Sequence, residues 1–237
     1  MTASRKPAFD LPARAGVPIA GTDREFPVNR IFCVGRNYAA HAVEMGSDPQ
    51  REPPFFFTKP ADAVITGAQC TLPYPPRTAE LHFEVELVVG LRRGGTNIAA
   101  DAALDLVHGA AVGIDFTRRD IQAQAKATRR PWDMGKGFDG SAVIGEMVAF
   151  DATALPRSGP IILTVNDEER QKGDLSDMIW STAEVIAELS AYLTLSAGDL
   201  IFTGTPEGVG PVSVGDQMVA AAAGVPDLNV VIGEPSG

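Results

Sequence analysis

Cysteine is nearly absent from the sequence: Cys33 and Cys70 are the only two among 237 residues, and they form no CxxC pair. The sequence therefore gives no sign of a disulfide framework, and we expect both cysteines to be reduced thiols in the core. Long apolar runs are also missing, since no window approaches the ~18 apolar residues of a membrane span. The basic N-terminal start is not followed by the apolar stretch of a signal peptide, so we expect a cytoplasmic protein.

Basic residues are outnumbered by acidic ones. The 20 Lys and Arg against 30 Asp and Glu give a net charge of -10 and an isoelectric point near 4.8. This charge argues against nucleic acid or an anionic membrane as the partner, because both carry negative charge themselves. It does not exclude a small acidic substrate, since local basic side chains or a metal ion can reverse the field inside a pocket.

The 24 glycines and 18 prolines favour many turns and short strands over a helix bundle, and the pattern predicts a mainly β (α+β) fold with a few short helices. Residues 1–27 are predicted to be an extended N-terminal arm and residues 28–237 a single domain. A helix from Thr182 to Leu193 is indicated by its S-x-x-E capping box and apolar face. Strands are expected in RIFCV, FFFTK, HFEVELVVGL, GAAVGID, AVIGEMV, IILTVNDEE and DLIFTGTP. The three aromatics of FFFTK indicate a strand buried on both faces.

The strand segment LHFEVELVVGL carries two glutamates, Glu84 and Glu86, which alternation places on the same face. Asp115 ends another apolar strand candidate. Three carboxylates without a nearby cysteine favour a hard divalent ion, Mg²⁺ or Mn²⁺. The same alternation also fits an amphipathic strand whose glutamates face solvent.

The segment GRNYAAHAVEMG places His41 and Glu44 three residues apart on a short helix, so that their side chains are neighbours. A carboxylate beside an imidazole orients the ring and raises its basicity, as a general base acting on water requires. An exposed helix whose His and Glu contact only water is the alternative.

Further polar candidates lie in two segments. The basic stretch RRDIQAQAKATRRPWDMGKGFDG contains Arg119, Gln122 and Lys136, which could bind a carboxylate or an enolate oxygen. The glycine-rich turn TGTPEGVG carries Thr205, whose hydroxyl could contribute to an anion site. A solvated basic loop and a plain β-turn are the respective alternatives.

Taken together and in order, these segments resemble the fumarylacetoacetate hydrolase family. The similarity extends from about residue 30 to 215 and is greatest to the acylpyruvate hydrolase branch. The matching motifs are GRNYAAHAVEMG, PPFFFTKPADAV, HFEVELVVGL, GIDFTRRDIQ, RPWDMGKGFDGSAVIG, SDMIW and GDLIFTGTPEGVGPV.

The resemblance implies a β-sandwich-like roll, a homodimer and a metal-dependent catalytic domain with Mg²⁺ or Mn²⁺. It implies hydrolysis of the C–C bond of a 2,4-dioxo acid, an acylpyruvate such as fumarylpyruvate from gentisate breakdown, to pyruvate and a carboxylic acid. It assigns the metal to Glu84, Glu86 and Asp115. It assigns catalysis to His41, Glu44 and Lys136, and substrate binding to Arg36, Lys59, Arg119, Gln122 and Thr205.

Several other functions remain compatible with these motifs. The same residues could serve an oxaloacetate decarboxylase, although a His–Glu pair favours hydrolysis because decarboxylation needs no activated water. Isomerases, hydratases and lyases of dioxo or hydroxy-dienoic acids also belong to the family. A non-catalytic module with a metal-stabilised core is a further alternative, against which the complete set of catalytic candidates argues.

Overall fold

Strands make up most of the regular structure in the computed structural model, which describes residues 8–10, 12–39 and 52–235. The mainly β prediction is thus confirmed. In these residues the strands are β1 (Gly16–Pro18), β2 (Glu25–Pro27), β3 (Arg30–Gly35), β4 (Phe55–Lys59), β5 (Val64–Thr66), β6 (Gln69–Pro73), β7 (Leu81–Phe83), β8 (Val85–Leu91), β9 (Val107–Asp115), β10 (Thr117–Arg118), β11 (Ala142–Ile144), β12 (Val148–Ala149), β13 (Pro160–Val165), β14 (Glu168–Asp174), β15 (Asp199–Phe202), β16 (Gly210–Val212), β17 (Gln217–Ala222) and β18 (Leu228–Gly233). The helices are α1 (Ala100–Ala103), α2 (Arg119–Ala127), α3 (Asp133–Lys136) and α4 (Thr182–Tyr192), with 3-10 turns at Leu104–Leu106 and Leu175–Asp177.

Two sheets form a sandwich. The larger runs in the order β4-β3-β15-β8-β9-β11-β5, with β12 paired to β9, and the smaller runs β14-β13-β17-β18-β6. Every residue of β8 is buried, and the smaller sheet covers one of the two faces of the larger sheet. Leu87, Val112, Leu163, Ala220 and Val230 belong to the apolar core between the two sheets. Helix α4, which begins at the predicted capping box on Ser181, adds its apolar face to this core.

The opposite face of the larger sheet is covered by a hairpin of β1 and β2. Val17 and Phe26 pair across this hairpin and pack against Ile31, Val88 and Ala111. This differs from the extended arm predicted for residues 1–27, since the part from Gly16 onwards is regular and contributes to the core. The two apolar residues lie in a sequence rich in Pro, Gly and Ala, which concealed the hairpin.

The segment predicted as one strand over residues 81–91 is divided at Glu84. Its first part, β7, joins β10 and β16 in a separate three-stranded sheet, while β8 lies at the centre of the larger sheet. The division occurs where the chain leaves one sheet and enters another, a change that periodicity alone does not reveal. It places Glu84 at the junction of the two sheets.

One other prediction needs correction. The aromatic strand β4 is an edge strand whose Phe55, Phe56 and Phe57 are half-buried, so it is not covered on both faces. The alternative of a solvated loop for the basic segment is not what the structure shows, since the segment forms α2 and α3. Cys33 and Cys70 are free and buried, as expected. Across the described ranges, no helix combines the length and apolar character needed to span a bilayer.

Candidate functional site

Three buried carboxylates converge at the junction where β7, β8 and the end of β9 meet. Glu84, Glu86 and Asp115 each offer one oxygen, and these oxygens all lie within 4.8 Å of one another. The residues are 6%, 2% and 0% exposed, respectively, which excludes an amphipathic strand with its glutamates in solvent. Glu86 lies in β8 and Glu84 immediately precedes it, while the backbone N–H of Asp115 donates to Glu84 O at 2.8 Å and so brings the end of β9 beside them.

Cationic side chains contact two of the three carboxylates. Lys136 donates from Nζ to Glu84 Oε2 at 2.7 Å and to Asp115 Oδ2 at 2.8 Å. Arg119 donates from Nη2 to Glu84 Oε1 at 2.6 Å. Burial opposes the charge of Lys136, yet the carboxylates of Asp115 and Glu84 raise the pKa of its ammonium above the usual value. Lys136 is therefore held as a cation in the centre of the site.

Lys59 lies beneath the site and does not line the pocket above it. Its Nζ is 2.7 Å from Asp115 Oδ1, and both side chains are completely buried. The same ammonium donates to the carbonyl oxygens of Phe116 and Lys136. The substrate contact predicted for Lys59 stays a prediction; in the structure its ammonium is engaged by Asp115 and the backbone.

Glu86 depends on the backbone for its hydrogen bond. Gly204 N donates to Glu86 Oε2 at 2.6 Å. Gly204 adopts φ +102, and a Cβ there would lie 2.6 Å from the Cβ of Asn37, so the close approach requires glycine. Burial, followed by the charges of Asp115 and Glu84, raises the pKa of Glu86 well above its ordinary value. The site thus holds a carboxylate that lacks a cationic side-chain partner among the described residues.

A pocket opens over the three carboxylates, and helix α2 forms one of its walls. Arg119, Gln122 and Lys126 are spaced i, i+3 and i+7, which places them along one face of the helix. Arg119 Nη1 donates to Gln122 Oε1 at 2.7 Å, so the two predicted substrate-binding side chains are locked together. The polar side chains that line the pocket are Arg36, Glu84, Glu86, Arg119, Gln122, Lys126, Lys136 and Thr205.

Lys126 is a pocket residue that our sequence reasoning did not select. Its Nζ lies 4.9 Å from the centroid of the Trp132 ring, and burial together with Arg119 and Arg36 lowers the pKa of its ammonium. Arg36 follows β3 with φ 59, and its guanidinium lies 5.6 Å from the centroid of the Phe55 ring. The helical spacing from Arg119 would have identified Lys126 if the segment had been recognised as a helix.

His82 is a neighbour of the carboxylates and not a member of their cluster. Arg119 Nε donates to His82 Nδ1 at a long 3.4 Å. Burial and the positive charge of Arg119 lower the pKa of His82 to about 4, so its ring is neutral at physiological pH. A neutral ring contributes no positive charge to this part of the site.

His41 and Glu44, the predicted catalytic pair, lie outside the described residues. The other predicted residues come together: the three carboxylates, Lys136, Arg119, Gln122, Thr205 and Arg36 all line one pocket or its floor. Thr205 is 3% exposed and accepts a hydrogen bond from Gln171 Nε2 at 2.8 Å. Gln171 is a second residue that sequence reasoning missed, because it comes from β14 in the other sheet.

The donor set fits a hard divalent cation. Carboxylate oxygens are the ligands that Mg²⁺ and Mn²⁺ prefer, and a cluster of three such oxygens is typical of their sites. Asp115 Oδ1 is buried and accepts no hydrogen bond from any residue that the structure describes, although the Lys59 ammonium lies beside it. The raised pKa of Glu86 likewise reflects a position where a positive charge would be favourable. These residues could therefore hold a metal ion.

Known proteins match this chain over most of its length. A family model described as fumarylacetoacetate (FAA) hydrolase C-terminal matches residues 30–232. A fumarylpyruvate hydrolase from a Ralstonia species is 41% identical over 187 residues, which cover 78% of this chain and 96% of that protein. An oxaloacetate tautomerase from Escherichia coli K12 is 37% identical over 201 residues, covering 84% and 91%.

A solved structure shares the whole fold. The crystal structure of fumarylpyruvate hydrolase from Pseudomonas aeruginosa in complex with Mn²⁺ and pyruvate gives a TM-score of 0.94 at 46% identity. The match covers 97% of this chain and 100% of that chain. A match of this extent includes the strands that carry the three carboxylates.

Proposed function

Because the chain belongs to the fumarylacetoacetate hydrolase family, we propose that it hydrolyses the C–C bond of an acylpyruvate, with fumarylpyruvate as the preferred substrate. The products are pyruvate and fumarate. The observation that carries the proposal is the cluster of Glu84, Glu86 and Asp115 on the floor of a pocket rich in cationic side chains. Similarity to fumarylpyruvate hydrolases in sequence and in fold supports the choice of substrate.

Glu84, Glu86 and Asp115 would hold Mg²⁺ or Mn²⁺. The chemistry that such an ion supplies is Lewis-acid polarisation of the substrate's carbonyl oxygens and orientation of its pyruvyl end. Lys59 supports this set from below through its ion pair with Asp115. Its role in the proposal is to position a ligand and not to contact substrate.

The charge around the pocket favours a dianionic substrate. Lys59, Lys136 and Arg119 contact the carboxylates, so the charges inside the site are closely balanced. Arg36 and Lys126 add positive charge at the pocket wall, where each lies against an aromatic ring. Fumarylpyruvate carries a carboxylate at each end, and a second carboxylate matches this additional positive charge.

His41, oriented by Glu44, is proposed as the general base. Its imidazole removes a proton from the water that attacks the 4-carbonyl carbon of the substrate. The bond between C3 and C4 then breaks, its electron pair passes to the pyruvate fragment as an enolate, and protonation at C3 completes the reaction. The proton taken up by His41 is available for that last step.

Lys136 and Gln122 are proposed to bind the reacting end of the substrate. Lys136 uses two of its N–H groups on Glu84 and Asp115, which leaves a third for a developing negative charge. Gln122 uses its Oε1 on Arg119, so its amide N–H groups are the part that can bind a substrate oxygen. Arg119 orients Gln122 and contributes positive charge.

A second candidate function is oxaloacetate tautomerisation, since relatives with that name are similar over most of the chain. Oxaloacetate is also a dianion with a 2-oxo acid end, so the same pocket can bind it. Decarboxylation of oxaloacetate is a related outcome of the same binding mode. Neither reaction needs an activated water, which distinguishes both from hydrolysis in their dependence on His41.

A substrate panel tests the proposal. Pyruvate release is measured from fumarylpyruvate, maleylpyruvate, acetylpyruvate and oxaloacetate, with and without Mn²⁺, and the enol absorbance of oxaloacetate is followed in parallel. We expect the highest kcat/KM with fumarylpyruvate, dependence on the ion, and loss of at least about 100-fold in His41→Ala. His108→Ala is the matched control, because His108 lies away from the pocket. Turnover confined to oxaloacetate would reject hydrolysis in favour of the second candidate.

The assembly and location expected from the sequence stay predictions. A homodimer would appear as a mass near twice 25.0 kDa by light scattering. The assignment of residues 28–237 to one catalytic domain is likewise a proposal, with the hairpin of β1 and β2 as an integral part of its core.

A further inference from the structure

Gln171 connects the smaller sheet to the pocket. It belongs to β14, is 1% exposed, and faces the division between β7 and β8. Its Oε1 accepts from Val85 N at 2.9 Å, between the two glutamates of the site. Its Nε2 donates to Pro206 O at 2.8 Å and to Thr205 Oγ1 at 2.8 Å. One side chain thus contacts both the ligand-bearing strand and the glycine-rich turn.

The orientation of the Gln171 amide follows from its two backbone partners. A backbone N–H can only donate, so the atom that faces Val85 N must be the oxygen. A backbone carbonyl can only accept, so the atom that faces Pro206 O must be the nitrogen. Interchanging the oxygen and nitrogen would break both bonds. The amide is therefore a donor towards Thr205.

This orientation determines what the Thr205 hydroxyl can do. Because Thr205 Oγ1 accepts from Gln171, its own hydrogen must point elsewhere. Thr205 is buried and lines the pocket over Glu84, Glu86 and Lys136. Within residues 8–10, 12–39 and 52–235, no acceptor for that hydrogen is found. A buried donor without a partner is costly, so the pocket favours a ligand that brings an acceptor to it.

We propose that Gln171 is a positioning residue that fixes the Thr205 hydroxyl as a hydrogen-bond donor into the pocket. The acceptor is a carboxylate or keto oxygen of the substrate, so the inference rests on the proposed function. Gln171 itself does not line the pocket and acts through Thr205. Its bond to Val85 N also supports the strand segment between Glu84 and Glu86.

A double-mutant cycle tests this role. Gln171→Glu is nearly isosteric but replaces the donor with an acceptor, which would draw the Thr205 hydrogen away from the pocket. Thr205→Val removes the hydroxyl, and Thr205→Ser keeps it. Gln171→Met, which has no amide, is the uncharged second variant if Gln171→Glu does not fold. Gln217→Glu on β17 is the control for the same charge change at an exposed position.

Two readouts are made with the Mn²⁺-loaded protein: the affinity for pyruvate by calorimetry, and KM and kcat with fumarylpyruvate. We expect Gln171→Glu and Thr205→Val each to weaken pyruvate binding about tenfold, the effect of one hydrogen bond to a charged group. In the Thr205→Val background Gln171→Glu should have little further effect, whereas in the Thr205→Ser background it should retain its full effect. Gln217→Glu should resemble the wild type.

Each contrary outcome has a distinct meaning. Equal effects of Gln171→Glu in the wild-type and Thr205→Val backgrounds would overturn the inference, because Gln171 would not act through the hydroxyl. Normal fumarylpyruvate turnover with that result leaves the proposed function intact. If the Gln171 and Thr205 substitutions weaken pyruvate binding non-additively but the wild type does not turn over fumarylpyruvate, the proposed function would be rejected. The role of Gln171 in positioning Thr205 would still stand. A wild-type protein that binds no pyruvate would overturn the inference itself.

Discussion

Lys59 and Asp115 form an ion pair from which water is completely excluded: Nζ lies 2.7 Å from Oδ1, and both side chains are 0% exposed. Removing one partner of such a pair lowers the stability of the fold strongly, because the remaining charge stays buried without compensation. Asp115 belongs to the carboxylate cluster and Lys59 does not, so the contribution of Lys59 to folding can be measured in the metal-free protein.

Lys59→Met is therefore expected to destabilise the metal-free protein by about 3 kcal/mol, measured by urea unfolding. Methionine approximates the length of the lysine side chain, so the change isolates the charge. Added Mn²⁺ should reduce the loss, because the ion restores positive charge beside Asp115. Lys172→Met is the control, since that lysine is 65% exposed. A loss below about 1 kcal/mol would contradict the importance of the pair.

Glu86→Gln should separate stability from function. Glutamine keeps an acceptor for Gly204 N but removes a charge that the metal-free fold holds unfavourably. Because the pKa of Glu86 is raised on folding, its cost to stability begins as the pH rises above 4.5, the value for an unperturbed glutamate, and grows up to the folded pKa. We expect the metal-free variant to gain roughly 1 kcal/mol near neutral pH.

The same Glu86→Gln variant should bind Mn²⁺ at least about 100-fold more weakly by calorimetry, because one of three charged ligands is lost. Glu168→Gln, at a side chain 75% exposed, is the control for removing a carboxylate. Wild-type metal affinity in Glu86→Gln would reject the assignment of Glu86 as a ligand. A variant less stable than the wild type would show that the carboxylate is compensated in the fold.

His82 should make stability depend on pH in the acidic range. Its pKa is lowered from 6.5 to about 4, so the unfolded chain binds a proton that the folded protein does not. Stability from this source is present above pH 6.5 and is lost as the pH falls towards 4. His82→Asn retains an acceptor for Arg119 but does not titrate in this range. Between pH 6.5 and 4, its free energy of unfolding should therefore fall by about 1 kcal/mol less than that of the wild type, a value that allows for the partial exposure of the ring. Parallel unfolding curves for both proteins from pH 7 to 4 would contradict this.

Lys126→Met should change which acylpyruvates are preferred. The loss of a positive charge from the pocket wall is expected to lower kcat/KM about tenfold for dianionic fumarylpyruvate and much less for monoanionic acetylpyruvate. Methionine keeps the packing against Trp132, so the contrast reports charge. Lys172→Met again serves as the control. Equal losses with both substrates would indicate that Lys126 does not recognise the second carboxylate.

The sequence predicted the carboxylate cluster better than the elements that carry it. Alternation placed Glu84 and Glu86 on one face, but whether that face was buried depended on Asp115 and on the pairing of β8 with β9. A solvated loop stayed an alternative for the basic segment, because its many charges hide the helical period of α2, whose face presents Arg119, Gln122 and Lys126. Local spacing was sufficient to predict which side chains of one helix or strand lie together. It was insufficient to predict the contacts made where two sheets meet.

Contacts between distant segments could not be predicted from local patterns. Gln171 lies 34 residues from Thr205 and 86 from Val85, and nothing in the polar sequence around it distinguishes it from its exposed neighbours. Gly204 supports Glu86 across 118 residues of chain. Lys59 was assigned to substrate binding by the family resemblance alone, whereas the fold buries its side chain against Asp115.

The division of the strand at Glu84 has a mechanical consequence. Glu84 follows a strand of the three-stranded sheet and Glu86 lies within the large sheet, so any relative movement of the two sheets would change the distance between their carboxylates. An ion bound by both glutamates would connect the two sheets and restrict their relative movement. Amide exchange at Val85, the residue between them, should therefore slow when Mn²⁺ is added, even though its own hydrogen-bond acceptor is Gln171.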